Sequence, residues 1–201
     1  RGRLRKGPMT SSVASPTLRV GLIGLGRMGR VYAQDLGRRI PETRLVAVAD
    51  VDPAAVAAVT RDLGVLRGTT DPLALLDDKG VDAVVIATPT RTHKDLVLAA
   101  AARGQATFCE KPPALSLAET LAMKEAVTRS GIFFQMGFMR RFDPGYAAAK
   151  RQIAEGLVGT PVLFKSTSRD PHRTSLEYAD PRNSGGMIMD MGIHDFDLAR
   201  W

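Results

Sequence analysis

"LRVGLIGLGRMGR", residues 18–30, decides how this chain reads. Its first half is a short apolar β-type run. Its second half spaces Gly24, Gly26 and Gly29 as G-x-G-x-x-G at the opening of a helical segment. Between a strand and a helix each glycine has its own task. Gly24 permits the tight turn, Gly26 lets the backbone approach a pyrophosphate, and Gly29 lets helix and sheet pack closely, while the helix start with Arg27 and Met28 faces the phosphates. Asp50 ends the next apolar run, "RLVAVAD" (44–50), 21 residues after Gly29, where a carboxylate can bond both hydroxyls of an adenosine ribose. That carboxylate would repel a 2′-phosphate, and Val51 rather than an arginine follows it, so NAD is favoured over NADP. The alternative is an ordinary glycine-rich turn with Asp50 as a loop cap.

Outward from this loop, short apolar runs alternate with helical segments. "VDAVVIAT" (81–88), "ATFCE" (106–110) and "IFFQMGF" (132–138) read as further buried strands, with a weaker one near Val65 to Thr69. "MGRVYAQDLGRR", "PAAVAAVTRDL", "PLALLDD", "THKDLVLAAAARG" and "LAETLAMKEAVTRSG" read as the helices between them. Strict alternation implies right-handed crossovers and a parallel sheet covered on both faces, a doubly wound α/β domain over residues 17–138. From residue 139 to 201 the rhythm changes to a helix at Asp143 to Gly156, an extended run "PVLFKSTS" (161–168), a polar loop and a closing helix. One strand cannot make a stable sheet, so this second part reads as the incomplete start of an α+β domain.

The totals narrow the class. Apolar residues are 44% and charged residues 24%, ordinary for a globular chain, and no apolar run is long enough to span a membrane. Of the net charge of +7, Arg1, Arg3, Arg5 and Lys6 supply four, leaving +3 for the rest, so a nucleic-acid reading is not supported. Residues 1–16 read as a disordered basic arm, either a tag remnant or an Arg- and Ser-rich transit peptide. Cys109 is the single cysteine, which rules out an intramolecular disulfide and makes a reducing cytoplasm the default compartment.

Three further stretches carry candidate chemistry. "ATPTRTH" (87–93) follows the fourth strand at the carboxyl edge, where ligands of open α/β sheets bind, so Thr88, Pro89, Thr90 and His93 are candidates to line the dinucleotide. His93 as a plain helix-start residue is the other reading. "CEKPPALS" (109–116) presents Glu110 and Lys111 at the same edge, and a lysine there can favour a developing alkoxide or simply be a solvated surface group. In "GGMIMDMGIHDFDLARW" (185–201) a helical period would place Asp190, His194, Asp197 and Trp201 in one stripe, with the surrounding methionines as packing residues. A metal-dependent hydrolase built on those residues would have a single histidine and no H-x-x-x-H pair, so no metal is expected.

Taken in order, the glycine loop, Glu110-Lys111-Pro112, "GFMRRFDP" (137–144), "SRDP" (168–171) and "IHDFDLAR" (193–200) resemble the glucose-fructose oxidoreductase and inositol dehydrogenase family, most closely its inositol 2-dehydrogenase branch. The resemblance runs from about Leu18 to Trp201. It implies an NAD-dependent dehydrogenase acting on a small polyol, with Lys111, Asp190 and His194 as the catalytic trio and Glu110 beside the cofactor. It also implies Met139, Arg140, Asp170 and Asp197 around the substrate, and a tetramer built through substrate-domain sheets. Another sugar or aminosugar dehydrogenase of the family, and a cofactor-binding sensor without turnover, are the rival readings. Pro113 and His172 depart from the family's usual pattern and put the substrate's identity in doubt.

Overall fold

The computed structural model describes residues 17–169 and 179–201. Residues 1–16, Asp170 and His172 lie outside the described residues. Six strands, β1 (Leu18–Ile23), β2 (Thr43–Ala49), β3 (Arg67–Thr69), β4 (Ala83–Ile86), β5 (Ala106–Cys109) and β6 (Phe134–Met136), form one sheet in the order β3-β2-β1-β4-β5-β6. Every pair is parallel. This is the doubly wound order, in which the chain reverses direction between β1 and β4 and opens a crevice at their carboxyl ends.

The helices α1 (Arg27–Gln34), α2 (Pro53–Leu63), α3 (Pro72–Leu76), α4 (His93–Ala102) and α5 (Leu117–Ser130) start where local chemistry dictates. Asp52 and Asp71 each accept a hydrogen bond from the backbone two residues on, with proline in the next position, and Ser116 caps α5 by accepting from the Glu119 N–H. Gly64 and Gly131 end α2 and α5 in the left-handed conformation. The segment expected as one helix after the glycine loop is α1 followed by a π-helical turn over Asp35–Arg39.

Burial divides between the two faces of the sheet. One cluster packs Ile23, Ile86, Val97, Cys109 and Met123, and the other packs Leu22, Leu25, Val48, Val56 and Val85. Strand residues alternate between them, as a sheet covered on both sides requires. At roughly 1.5–3 kcal/mol for each fully buried large aliphatic side chain, these clusters hold the strand ends rigidly enough to aim the loops beyond them.

After β6 a 3-10 turn, Met139–Phe142, leads into α6 (Pro144–Ala154), whose N-terminus is capped by Asp143 through the Gly145 and Tyr146 N–H groups. The run 161–168 has no ladder partner among the described residues and exposes Val162, Leu163 and Phe164. The closing stretch is not one regular helix. A short α-helix Pro181–Ser184 precedes a π-helical turn Ile188–Gly192, which leads into the α-helix Ile193–Arg200.

Candidate active site

The glycine loop sits at the crevice between β1 and β4. Gly24 has φ +95°, and a Cβ there would lie 2.6 Å from the Ala87 carbonyl oxygen, so only glycine lets the loop pass this close to the turn after β4. A Cβ on Gly29 would lie 1.9 Å from the Gly24 carbonyl oxygen, which fixes how tightly α1 meets the strand. Gly26 is exposed, and a Cβ there would meet nothing within 4 Å. Among the described residues no side chain caps α1, so its first-turn N–H groups, with exposed Arg27 and Met28, face outward. Asp50, at the end of β2, accepts from the Leu25 N–H at 2.6 Å and from the Asp52 N–H at 2.9 Å. Two lone pairs on each carboxylate oxygen leave room for ribose hydroxyls as well. An open cradle, an uncapped helix start and an acceptor at the end of β2 fit a dinucleotide.

The turn after β4 divides the residues expected to line such a ligand. Pro89 is exposed and Thr88 half-buried, whereas Thr90 is 3% exposed and His93 1%. In this conformation the side chains of Thr90 and His93 thus present almost no surface to the crevice. The 3-10 turn Thr90–Thr92 sets the direction of the His93 ring, whose Nδ1 lies 2.8 Å from the Pro112 carbonyl and Nε2 2.9 Å from the Thr88 carbonyl. It ties the turn after β4 to the turn after β5. Burial holds its pKa below the ordinary value, against the pull of those carbonyls and of Glu110.

Beyond β5, Glu110 Oε2 accepts from the Lys111 N–H at 2.9 Å, and its Oε1 accepts from the Tyr32 hydroxyl at 2.5 Å. Tyr32 reaches over from α1 and stands edge-on to Phe108, with ring centroids 5.5 Å apart. Burial and the Glu110 contact push its pKa well up, so it remains a neutral donor. The Lys111–Pro112 peptide bond is cis. Lys111 Nζ donates to the Asp190 carbonyl at 2.8 Å and to Asp190 Oδ1 at 2.7 Å, joining residues 79 positions apart. Both side chains are less than one-fifth exposed.

Next to this pair His194 is 6% exposed, with Nδ1 buried and unpartnered among the described residues. Burial first, then the Lys111 and Arg140 cations, lower its pKa below 6.5, while Glu110 and Asp190 act in the opposite direction. A histidine so placed is neutral at neutral pH and able to accept a proton.

The stripe expected of Asp190, His194, Asp197 and Trp201 is interrupted by a π-helical turn that contains Asp190, and Asp197, in the α-helix beyond it, pairs with Arg141 at 2.8 and 2.6 Å. The Trp201 ring lies 5.8 Å from both the Arg141 guanidinium and Lys150 Nζ. Asp195, absent from the expected set, receives Arg140 Nη1 at 2.6 Å and the Ser166 hydroxyl at 2.6 Å. Met139 is exposed at the turn after β6. Asp195 and Tyr32 could not have been found by spacing, because the partners of both lie on distant segments. Among the described residues no cluster of metal-ligating side chains occurs, and no helix is long and apolar enough to cross a membrane.

Residues 18–138 match the model of the oxidoreductase family with the NAD-binding Rossmann fold, and residues 146–201 match the GFO/IDH/MocA C-terminal domain. The chain belongs to the GFO/IDH/MocA oxidoreductase family. This GFO/IDH/MocA chain is 43% identical over 184 residues to scyllo-inositol 2-dehydrogenase (NAD(+)) of Bacillus subtilis (strain 168), covering 92% of the chain and 53% of that relative. A probable dehydrogenase structure from Thermotoga maritima is similar with TM-score 0.86 at 40% identity, covering 91% of the chain and 54% of that protein. Scyllo-inositol dehydrogenase from Lactobacillus casei, solved with NAD(H) and scyllo-inositol, is similar with TM-score 0.81 at 30% identity, covering 92% and 56%. The GFO/IDH/MocA chain thus spans about half the length of the relatives it matches.

Proposed function

We propose that the protein carrying this chain oxidises a secondary hydroxyl of a cyclitol, myo-inositol or scyllo-inositol, to the ketone. The observation that carries the reading is the double contact of Lys111 Nζ with Asp190, which brings the turn after β5 against the segment bearing neutral His194. Relatives named as inositol dehydrogenases, at 43% identity and below, supply the substrate class. NAD, when bound, would supply the hydride acceptor.

In this reading His194 takes the hydroxyl proton. Its lowered pKa keeps the ring unprotonated, and therefore basic, at neutral pH. Lys111 donates to the alcohol oxygen and stabilises the negative charge that develops there, and Asp190 holds the ammonium in place. Gly24, Gly26, Gly29, Arg27, Met28 and Asp50 hold the dinucleotide, together with Thr88, Pro89 and Glu110. Asp50 discriminates against a 2′-phosphate. Met139 and Arg140 border the polyol, with Asp170 and Asp197 as further polyol neighbours. Residues 17–138 form the cofactor domain and 139–201 the first part of a substrate domain, in a cytoplasmic enzyme that assembles as a homo-oligomer.

The test is NADH formation by the full-length protein with myo-inositol, scyllo-inositol, glucose and xylose, using NAD or NADP. Turnover of an inositol with NAD that His194→Ala abolishes is the expected result. Saturable NAD binding with no turnover of any of the four would overturn the substrate and favour a sensor.

A further inference from the structure

The Arg140 guanidinium is held by a cluster that the proposed chemistry does not use. Its Nη1 donates to Asp195 Oδ1 at 2.6 Å and its Nη2 to the Ser168 hydroxyl at 2.9 Å. Ser168 lies 3.0 Å from both Asp195 oxygens, and the Ser166 hydroxyl donates to Oδ1 at 2.6 Å. The Arg140 and Asp195 side chains are only 18% and 25% exposed. The closed loop of donors and acceptors fixes the guanidinium plane while engaging two of its five N–H donors.

The charge of Arg140 acts on His194, which it helps to keep unprotonated. The Ser166 hydroxyl, then Arg140 and Ser168, hold the Asp195 carboxyl below its ordinary pKa, against the cost of burial. An Asp195 anion also offsets part of the Arg140 field.

We infer that Asp195 is a positioning residue which, through Arg140, presents the unused guanidinium donors to a polyol hydroxyl at the edge of the Lys111–Asp190–His194 cluster. This rests on the polyol dehydrogenase reading for its substrate. Asp195 touches neither substrate nor cofactor. It sets the orientation in which Arg140 meets the hydroxyl, and Ser166 and Ser168 keep its carboxylate from turning away.

The inference makes Asp195 matter for KM more than for kcat. In full-length Asp195→Asn the carboxylate charge is lost and Arg140 is held less firmly, with Ser168 as its remaining charge-free anchor, so KM for the inositol rises about tenfold or more while kcat stays within about threefold. In an Arg140→Ala background the same substitution adds less than about twofold, because the group it acts through is gone. Independent effects that multiply in the double variant would overturn the inference, as would a kcat loss with KM unchanged.

A second readout needs no turnover. The titration of His194 is followed by NMR of isotope-labelled histidine, assigned by its loss in His194→Gln. Lys111 and Asp190, Glu110, and Arg140 are the charged groups acting on this ring. Removing the Asp195 charge leaves the Arg140 cation less offset, so the His194 midpoint moves to lower pH in Asp195→Asn, and Arg140→Ala suppresses that movement. An unmoved midpoint overturns the inference even where no inositol is a substrate. A moved midpoint with no inositol turnover sustains the coupling and sinks only the substrate reading.

Discussion

Replacing Gly29 and Gly26 one at a time by alanine separates the architectural use of the glycine loop from its use in binding. A methyl on Gly29 would lie 1.9 Å from the Gly24 carbonyl oxygen and 2.7 Å from its carbon, and both are backbone atoms that no rotamer change can move. The loop and α1 must separate, a form of overpacking that costs about 1–3 kcal/mol. At about 2–4 °C per kcal/mol for a domain of this size, Tm falls by roughly 5 °C. Gly26 behaves differently. Its φ of −67° and ψ of −162° suit alanine, and a methyl there meets nothing within 4 Å. Tm of Gly26→Ala therefore stays within about 2 °C of the parent, since a compatible Gly-to-Ala change is worth under about 1 kcal/mol. The same methyl occupies the approach path of a pyrophosphate, and the NAD dissociation constant rises by about tenfold or more, a cost of about 1.4 kcal/mol or greater. Differential scanning calorimetry gives the first quantity and a fluorescence titration with NADH the second. Unchanged cofactor affinity in Gly26→Ala would refute the placement of the dinucleotide, and an unchanged Tm in Gly29→Ala would refute the close contact on which the loop geometry depends.

The same geometry has other consequences. Lys111→Met should reduce kcat by about 10²–10⁴-fold with NAD affinity within about threefold of the parent, and equal losses in both would assign the lysine to the cofactor instead. With His194 in its proposed role as the neutral base, kcat/KM should fall as pH falls, with its acid limb centred below 6.5; a limb above that value contradicts the lowered pKa. His93 and His194 are both lowered from 6.5, so below that pH the unfolded chain binds more protons than the folded one. Their contribution to stability is complete above about 6.5 and is lost as pH falls toward their folded values, which urea denaturation at pH ~7.5 and ~5.5 would detect, the drop being smaller in His194→Gln. Tyr32→Phe keeps the ring against Phe108 but takes the donor from Glu110; a loss of about 1–3 kcal/mol in unfolding free energy is expected, and a neutral change would mean that Glu110 finds water instead.

Much of the sheet was legible because its signals are local. Short β-branched runs, Asp-Pro helix starts and glycine helix ends mark the elements, and the right-handed crossover rule then orders the strands around the glycine loop. The site was legible only in part, and the misses share a cause. A period of 3.6 residues presumes an unbroken α-helix, yet Ile188–Gly192 is a π-helical turn, and beyond it Asp197 pairs with Arg141 and Asp195 with Arg140. No residue type in "IMDMG" specifies such a turn. The turn coincides with the place where Asp190 meets Lys111 through both its carbonyl and its carboxylate, so its signal lies 79 residues upstream. His93 teaches the same lesson on a smaller scale: the pattern puts it at a ligand-binding edge, but the 3-10 turn before it points the ring inward between two carbonyls. Periodicity reports which face of an element is apolar and is silent about the rotation that a polar partner from another segment imposes. The residues of this site that come from regular elements can therefore be read from spacing, whereas those at irregular turns require the tertiary contact that made the turn irregular.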